Sequence, residues 1–286
     1  MWNVLTTAYN NWSRHRSARL GAALAYYSVF SLGPILLIVI SVAGLWFGQD
    51  AVRGSLTDQF RSLLGPDGAQ AVEAMLKGAS SVRSGGIAAL SGVVLLLIAA
   101  LGVVVQLKDA LNTIWDAPEP EGGGLWWYVR TYLISLAGVM ALGFLLMVSL
   151  VISTVLAAVS AWAGTAGSEA LIWETVNFTV SLGVLTGLFA MLFKWFPDVP
   201  VRWRDVWPGA LASALLFEAG KLAIAWYIGR QGLESTYGAA ASLVVLLIWV
   251  YYTAQIVLFG AEISHAYAHR HPAMSRAASI KGGVVR

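Results

Sequence analysis

Long runs without Asp, Glu, Lys or Arg dominate the chain: Leu20 to Gln49, Ser84 to Leu107, Thr131 to Ser168, Thr175 to Phe193 and Ser235 to Ala261. A helix needs about 20 mainly apolar residues to cross a hydrocarbon core about 30 Å thick, so each run suits one membrane span. A sixth run, Val206 to Gly229, is interrupted only by Glu218 and Lys221. The pattern predicts an all-α polytopic membrane protein with six transmembrane helices. Thr131 to Ser168 as one straight helix would be roughly 57 Å long at 1.5 Å per residue, too long for one span and too short for two with a turn. It reads as a helix over about Tyr132 to Ala161 that projects beyond the bilayer and ends near Gly164 and Gly167.

Polar stretches between the runs carry a second pattern. Val52, Leu56, Phe60 and Leu63 recur at helical spacing, and Val72, Met75, Leu76 and Ala79 do so after Pro66-Asp67-Gly68. The first external loop therefore predicts an amphipathic helical pair, read as a packing lid or a moving gate. Trp2, Leu5, Tyr9 and Trp12 share one face ahead of Arg14, Arg16 and Arg19, which predicts a cytoplasmic interfacial helix over 1–19. The rest of the single membrane domain, 1–286, divides into a six-span bundle over 20–265 and a flexible cytoplasmic tail over 266–286.

Composition agrees: 58% of residues are hydrophobic and 12% charged, with a mean hydropathy of +0.71, far from a soluble average. Basic residues precede the first span, lie between the fourth and fifth (Lys194, Arg202, Arg204) and follow the sixth (Arg270, Arg276, Lys281, Arg286). Short cytoplasmic loops retain such residues, so both termini are expected in the cytoplasm. The same distribution accounts for the net charge of +3 without an anionic polymer, so nucleic acid is not an expected partner. With no cysteine, thiolate metal clusters, disulfides and Cys nucleophiles are excluded. No Gly-x-Ser-x-Gly, Walker A or Gly-x-Gly-x-x-Gly motif occurs, and no enzymatic constellation is expected.

Glu218 and Lys221 form the leading candidate site. Three residues apart, they share a helix face at membrane depth, where an isolated charge has to be paired or hydrated. The pair reads either as a bridge that opens when a proton, cation or anionic headgroup arrives, or as a permanent bridge that fixes helix register. Lys108, Asp109 and Asn112 lie at the inner end of the second span and Glu262 at that of the sixth. They outline a cytoplasmic mouth in which Glu262 meets Lys108, unless Lys108 snorkels to the interface. Gly33 and Pro34, mid-span in the first helix, predict a kink or break, because Pro removes a backbone donor. Gly238 predicts a turn or close approach at the start of the sixth span. Gly183 and Gly187 make a Gly-x-x-x-Gly step suited to close helix packing. His265, His269 and His271 read as a solvated tail, since no carboxylate or thiol completes a metal set. No metal and no cofactor is called for; the expected partners are the phospholipid bilayer and a proton or cation, with the oligomeric state open.

Ala25-Tyr26-Tyr27-Ser28, Ser31-Leu32-Gly33-Pro34 and Leu111-Asn112-Thr113-Ile114-Trp115 are followed by Trp203-Arg204-Asp205-Val206-Trp207-Pro208-Gly209-Ala210, Tyr237-Gly238-Ala239, Trp249-Val250-Tyr251-Tyr252 and Gly260-Ala261-Glu262. In order and spacing this series resembles the YihY/BrkB family of bacterial inner-membrane proteins over nearly the whole chain. The resemblance implies six helices in the inner (plasma) membrane with both ends inside. Members have been called virulence or serum-resistance factors and, by older labelling, ribonuclease BN, and transport of ions or envelope lipids has been proposed for some. The chain departs from the pattern at Asp116 to Gly124, where relatives often carry basic residues. The ribonuclease label fails a physical test, because metal-dependent phosphodiester cleavage needs clustered His and Asp ligands facing water. The expected function is transport of a small ion, solute or lipid headgroup near Glu218 and Lys221; the alternative is a non-transporting envelope protein that organises lipids or binds partner membrane proteins.

Overall fold

A computed structural model describes residues 2–80, 101–118, 168–230 and 241–270, and among these every regular element is a helix. In chain order they are α1 (Trp2–Arg14), α2 (Ser17–Phe47), α3 (Gln49–Ser80), α4 (101–114), α5 (Ser168–Trp195), α6 (Trp203–Arg230) and α7 (Ala241–Ala268). Three of the described helices are long and apolar enough to cross a membrane, over Ser17–Phe47, Phe178–Trp195 and Leu243–Ala268. They match the first, fourth and sixth expected spans. The helix α6 covers the fifth run, with its Glu218 and Lys221, without joining that set. Most of the second run, the helix expected over Tyr132 to Ala161, and Gly238 lie outside the described residues.

The outer surface of these helices is apolar. Phe30, Leu45, Trp46, Leu215 and Ile248 are exposed, an arrangement that water penalises and lipid accepts. Aromatic residues mark helix ends: Trp46 and Phe47 close α2, and exposed Trp195 and Trp203 meet edge-on at 6.0 Å across the α5–α6 turn. Such rings favour the membrane–water interface, where one side is apolar and the other wet.

Lipid tails are as apolar as leucine, so helices in a bilayer gain by close approach more than by burial. The central helix α7 packs against α1, α2, α3 and α6. Where α6 crosses it, Gly209 and Gly260 face one another, and a methyl group on either would overlap the other's backbone oxygen. Hydroxyls seal the crossing: Ser213 donates to the Ile256 carbonyl at 3.2 Å and Ser264 to that of Val206 at 3.3 Å. Gln255 of α7 donates to the Ala18 carbonyl of α2 at 3.3 Å. Gly183 and Gly187, expected to serve such packing, meet nothing within 4 Å of a built methyl among the described residues, where the tight crossing is the one at Gly209 and Gly260.

Three further expectations need correction. The external helical pair is one continuous helix, α3, which runs through Pro66. Val52, Ala71, Val72 and Leu76 bury themselves with Leu36, Ile40, Leu246 and Trp249 of α2 and α7, and this packing outweighs the local turn signal of Pro66-Asp67-Gly68. On the polar side of α3, the hydrogen bond and charge of Lys77, 3.0 Å away, hold the exposed Glu73 carboxyl below its usual range. Second, α2 continues unbroken through Gly33 and Pro34 to Phe47. Buried Ser31 donates to the Ser28 carbonyl at 3.1 Å in the turn before the proline. The sharp turn falls instead at Gly48, whose φ of 83° suits a residue without a side chain. Third, the tail does not begin at residue 266, because α7 runs to Ala268 with Ala266 and Ala268 buried.

The amphipathic pattern of α1 serves two surfaces. Val4 and Ala8 pack against Ile263 and Ala266 of α7, and Trp2, Leu5 and Tyr9 remain exposed on the other side. Tyr9 and Trp12 stack at 6.3 Å along this free face.

Candidate functional site

The structure distributes the candidate residues over three places. The first is on α6, where the Lys221 ammonium lies 2.7 Å from Oε2 of Glu218 and donates to Oε1 at 2.8 Å. Helical spacing of three residues brings the two side chains together with no help from the rest of the fold. Ser181 of α5 adds a hydroxyl donor to Oε1 at 3.2 Å, tying the pair to a second helix. Lys221 also lies 6.0 Å from the centre of the Phe217 ring. The Glu218 side chain is 12% exposed and that of Lys221 31%.

The second place joins α4 to the turn between α5 and α6. Lys108 pairs with Asp198 at 2.9 Å. Asn112, one helical turn along, donates to the same carboxylate at 2.8 Å and accepts from the Asp198 backbone N–H at 2.8 Å. Asp198 lies between Pro197 and Pro200, so a stiff turn holds its acceptor oxygens toward α4. In the same turn Lys194 donates to the Val201 carbonyl. Lys108 and Asn112 thus meet the same carboxylate, whereas Asp109 is exposed beside them. Glu262 is not the partner of Lys108.

Glu262 belongs to the third place, where α1, α2, α4 and α7 end together. It is fully buried, and its Oε1 accepts from Ser17 at 3.1 Å and from His15 Nδ1 at 2.9 Å. Arg14 meets the other ring nitrogen of His15 at 3.1 Å. An arginine only donates, so Nε2 of His15 is an acceptor and its ring hydrogen sits on Nδ1, aimed at Glu262. Asp116 stands beside this group, 3.9 Å from Arg14, 3.7 Å from His15 Nε2 and 3.6 Å from His265 Nε2. His265, only 3% exposed, packs edge-on against Trp115 at 5.4 Å and against His269 at 4.2 Å. Glu262 Oε2, both ring nitrogens of His265 and Trp115 Nε1 are buried without a hydrogen bond among the described residues. Arg16 and Asp116, the two non-glycine residues with positive φ among those described, both border the cluster, at 54° and 47°. Left-handed backbone at such residues costs roughly 1–2 kcal/mol, so the surrounding contacts hold it in place.

Several members of these sites were not singled out from the sequence. His15 hides among Arg14, Arg16 and Arg19, whose charge speaks of topology, and Asp116 stood only as the first residue of an unusual acidic stretch. His265, read as part of a solvated tail, is instead a buried wall of the third site. For Asp198 the available signal is an acid between two prolines next to an apolar run; for Ser181 there is none. No group of three or more His, Asp or Glu side chains with metal-binding geometry occurs among the described residues.

Comparison with known proteins adds the following. The family described as Virulence factor BrkB matches residues 8–281. A UPF0761 membrane protein of Methylibium petroleiphilum is 30% identical over 275 residues, covering 93% of this chain and 63% of the relative. One from Verminephrobacter eiseniae is 32% identical over 271 residues, covering 91% and 61%. A third, from Legionella pneumophila, is 28% identical over 255 residues, covering 88% and 58%. The chain thus spans about three fifths of the length of these curated relatives. No solved structure matches it.

Proposed function

The chain belongs to the Virulence factor BrkB family of membrane proteins, and from that premise we propose that it is an inner-membrane transporter that moves a small ion, solute or lipid headgroup past Glu218 and Lys221. In this reading it has six spans and both termini in the cytoplasm. The observation that supports it is the Glu218–Lys221 pair, held midway along α6 and braced by Ser181, with the lysine side chain still 31% exposed. Charges at that depth are retained where water, a partner or a cargo meets them. A proton or cation at Glu218, or an anionic headgroup at Lys221, would compete for the same atoms that now join the pair. The orientation is supported by the basic residues at the helix ends: Arg14 closes α1, Lys194 lies in the last turn of α5, Arg202 and Arg204 stand at the start of α6, and Arg270 follows α7. The relatives' names carry no enzymatic activity, and no catalytic step is part of the proposal.

The second reading, a non-transporting envelope protein that organises lipids or binds partner membrane proteins, is favoured by the closure of the pair within a single helix at 2.7 and 2.8 Å. Proteoliposome flux separates the two, using a pH-sensitive dye with cation gradients and a fluorescent-lipid scrambling assay on wild type, Glu218→Gln and Lys221→Met. Transport predicts flux that both folded variants lose. Wild-type vesicles that move neither ions nor lipid would leave the scaffold reading standing.

A further inference from the structure

We propose that the cluster of His15, Asp116, His265 and Glu262 is a proton-binding site, in which a proton taken up on His15 exchanges its contact with Arg14 for one with Asp116. The inference goes beyond transport and holds whether or not the protein carries a cargo.

Nε2 of His15 faces a cation and an anion at once: Arg14 at 3.1 Å and Asp116 at 3.7 Å. A neutral ring with its hydrogen on Nδ1 accepts from Arg14 and leaves Asp116 beyond hydrogen-bond reach. A proton added to Nε2 turns that atom into a donor, which Arg14 has no lone pair to receive and Asp116 has. The proton comes from water at this end of the bundle, and no other bond is made or broken. Throughout, Nδ1–H keeps its bond to Glu262, so the ring stays held while its far side changes partner.

His265 faces the other oxygen of Asp116, its Nε2 3.6 Å away, and both its ring nitrogens are buried without a hydrogen bond among the described residues. Asp116 therefore stands between two rings, each just too far for a hydrogen bond, and the ring of His15 is the one a proton draws in. Two carboxylates, Asp116 and Glu262, supply the balancing charge. The charged and titratable groups facing the site are Arg14 from α1, Asp116 from the end of α4, and Glu262, His265 and His269 from α7. The Asp116 side chain is 61% exposed and gives the buried rings a path to water. Uptake of a proton would tighten the end of α4 onto the α1–α2 turn and α7.

The chain has four histidines, so imidazole nitrogen signals of protein labelled at histidine alone can be assigned with His15→Gln and His265→Gln. The full chain in lipid nanodiscs is titrated through about pH 8 to pH 5, the range in which histidine charge changes. At the alkaline end His15 should show its hydrogen on Nδ1, and on acidification the doubly protonated signal should grow. In Asp116→Asn that signal should be lost at a pH where wild type displays it. A His15 that stays neutral throughout, or titrates identically in folded Asp116→Asn, overturns the proposal. Should that variant misfold, the wild-type tautomer decides alone: a hydrogen on Nε2 at alkaline pH contradicts the exchange. None of these readings depends on vesicle flux.

Discussion

Glu218 and Glu262 are both carboxylates on long helices, α6 and α7, and they are satisfied in opposite ways. Glu218 finds Lys221 one turn along its own helix, and Ser181 adds one bond from next door. Glu262 is met by His15 and Ser17, 247 and 245 residues away in sequence, and keeps one oxygen, fully buried, without a hydrogen bond among the described residues. A local pair forms as soon as its helix forms, and the Ser181 bond alone ties it to a second element among the described residues. The long-range one exists only when α1, α2 and α7 have come together, so its contacts report on the whole fold. The Glu218–Lys221 pair can open within α6, whereas Glu262 cannot leave His15 and Ser17 without parting α7 from the α1–α2 turn.

Substitutions test this contrast by thermal unfolding in detergent or nanodiscs. Glu262→Ala should have the largest effect, about 3 kcal/mol, because it strips the acceptor from His15 and Ser17 inside a closed site. Gly209→Ala should follow at about 2 kcal/mol, since its methyl meets the Gly260 backbone and forces α6 away from the helix that carries Glu262. Asn112→Ala removes both bonds to Asp198, whose side chain is largely in water, and should cost about 1 kcal/mol. Glu218→Gln should come last, below about 1 kcal/mol, because Lys221 retains access to solvent and a glutamine can still accept from Ser181. A Glu218→Gln effect as large as that of Glu262→Ala would erase the distinction and recast the mid-helix pair as a structural bridge.

The parts of the fold that could be read beforehand are those governed by local rules. Charge-free runs give α2, most of α5 and α7, and three-residue spacing gives the Glu218–Lys221 contact, because both depend only on nearby sequence. Pro66 misleads because a turn signal describes an isolated segment, and α3 stays one helix through it with Val72 and Leu76 packed against two other helices. Asp198 and His15 are invisible for a related reason. Each sits in a short connector, and its partner is fixed by helix packing alone, 86 residues away for Asn112 and Asp198. Gly209 and Gly260 stood only as members of longer stretches, because their close approach depends on how α6 crosses α7.

The bond between His15 and Glu262 also sets an order of events during synthesis. At a ribosomal pace of roughly 5–20 residues per second, Glu262 emerges roughly 12–50 s after His15. For that interval the ring, Ser17 and the inner face of α1 have no α7 to rest on. Val4 and Ala8 of α1 reach their buried positions only when Ile263 and Ala266 arrive, so α7 is the helix that completes α1.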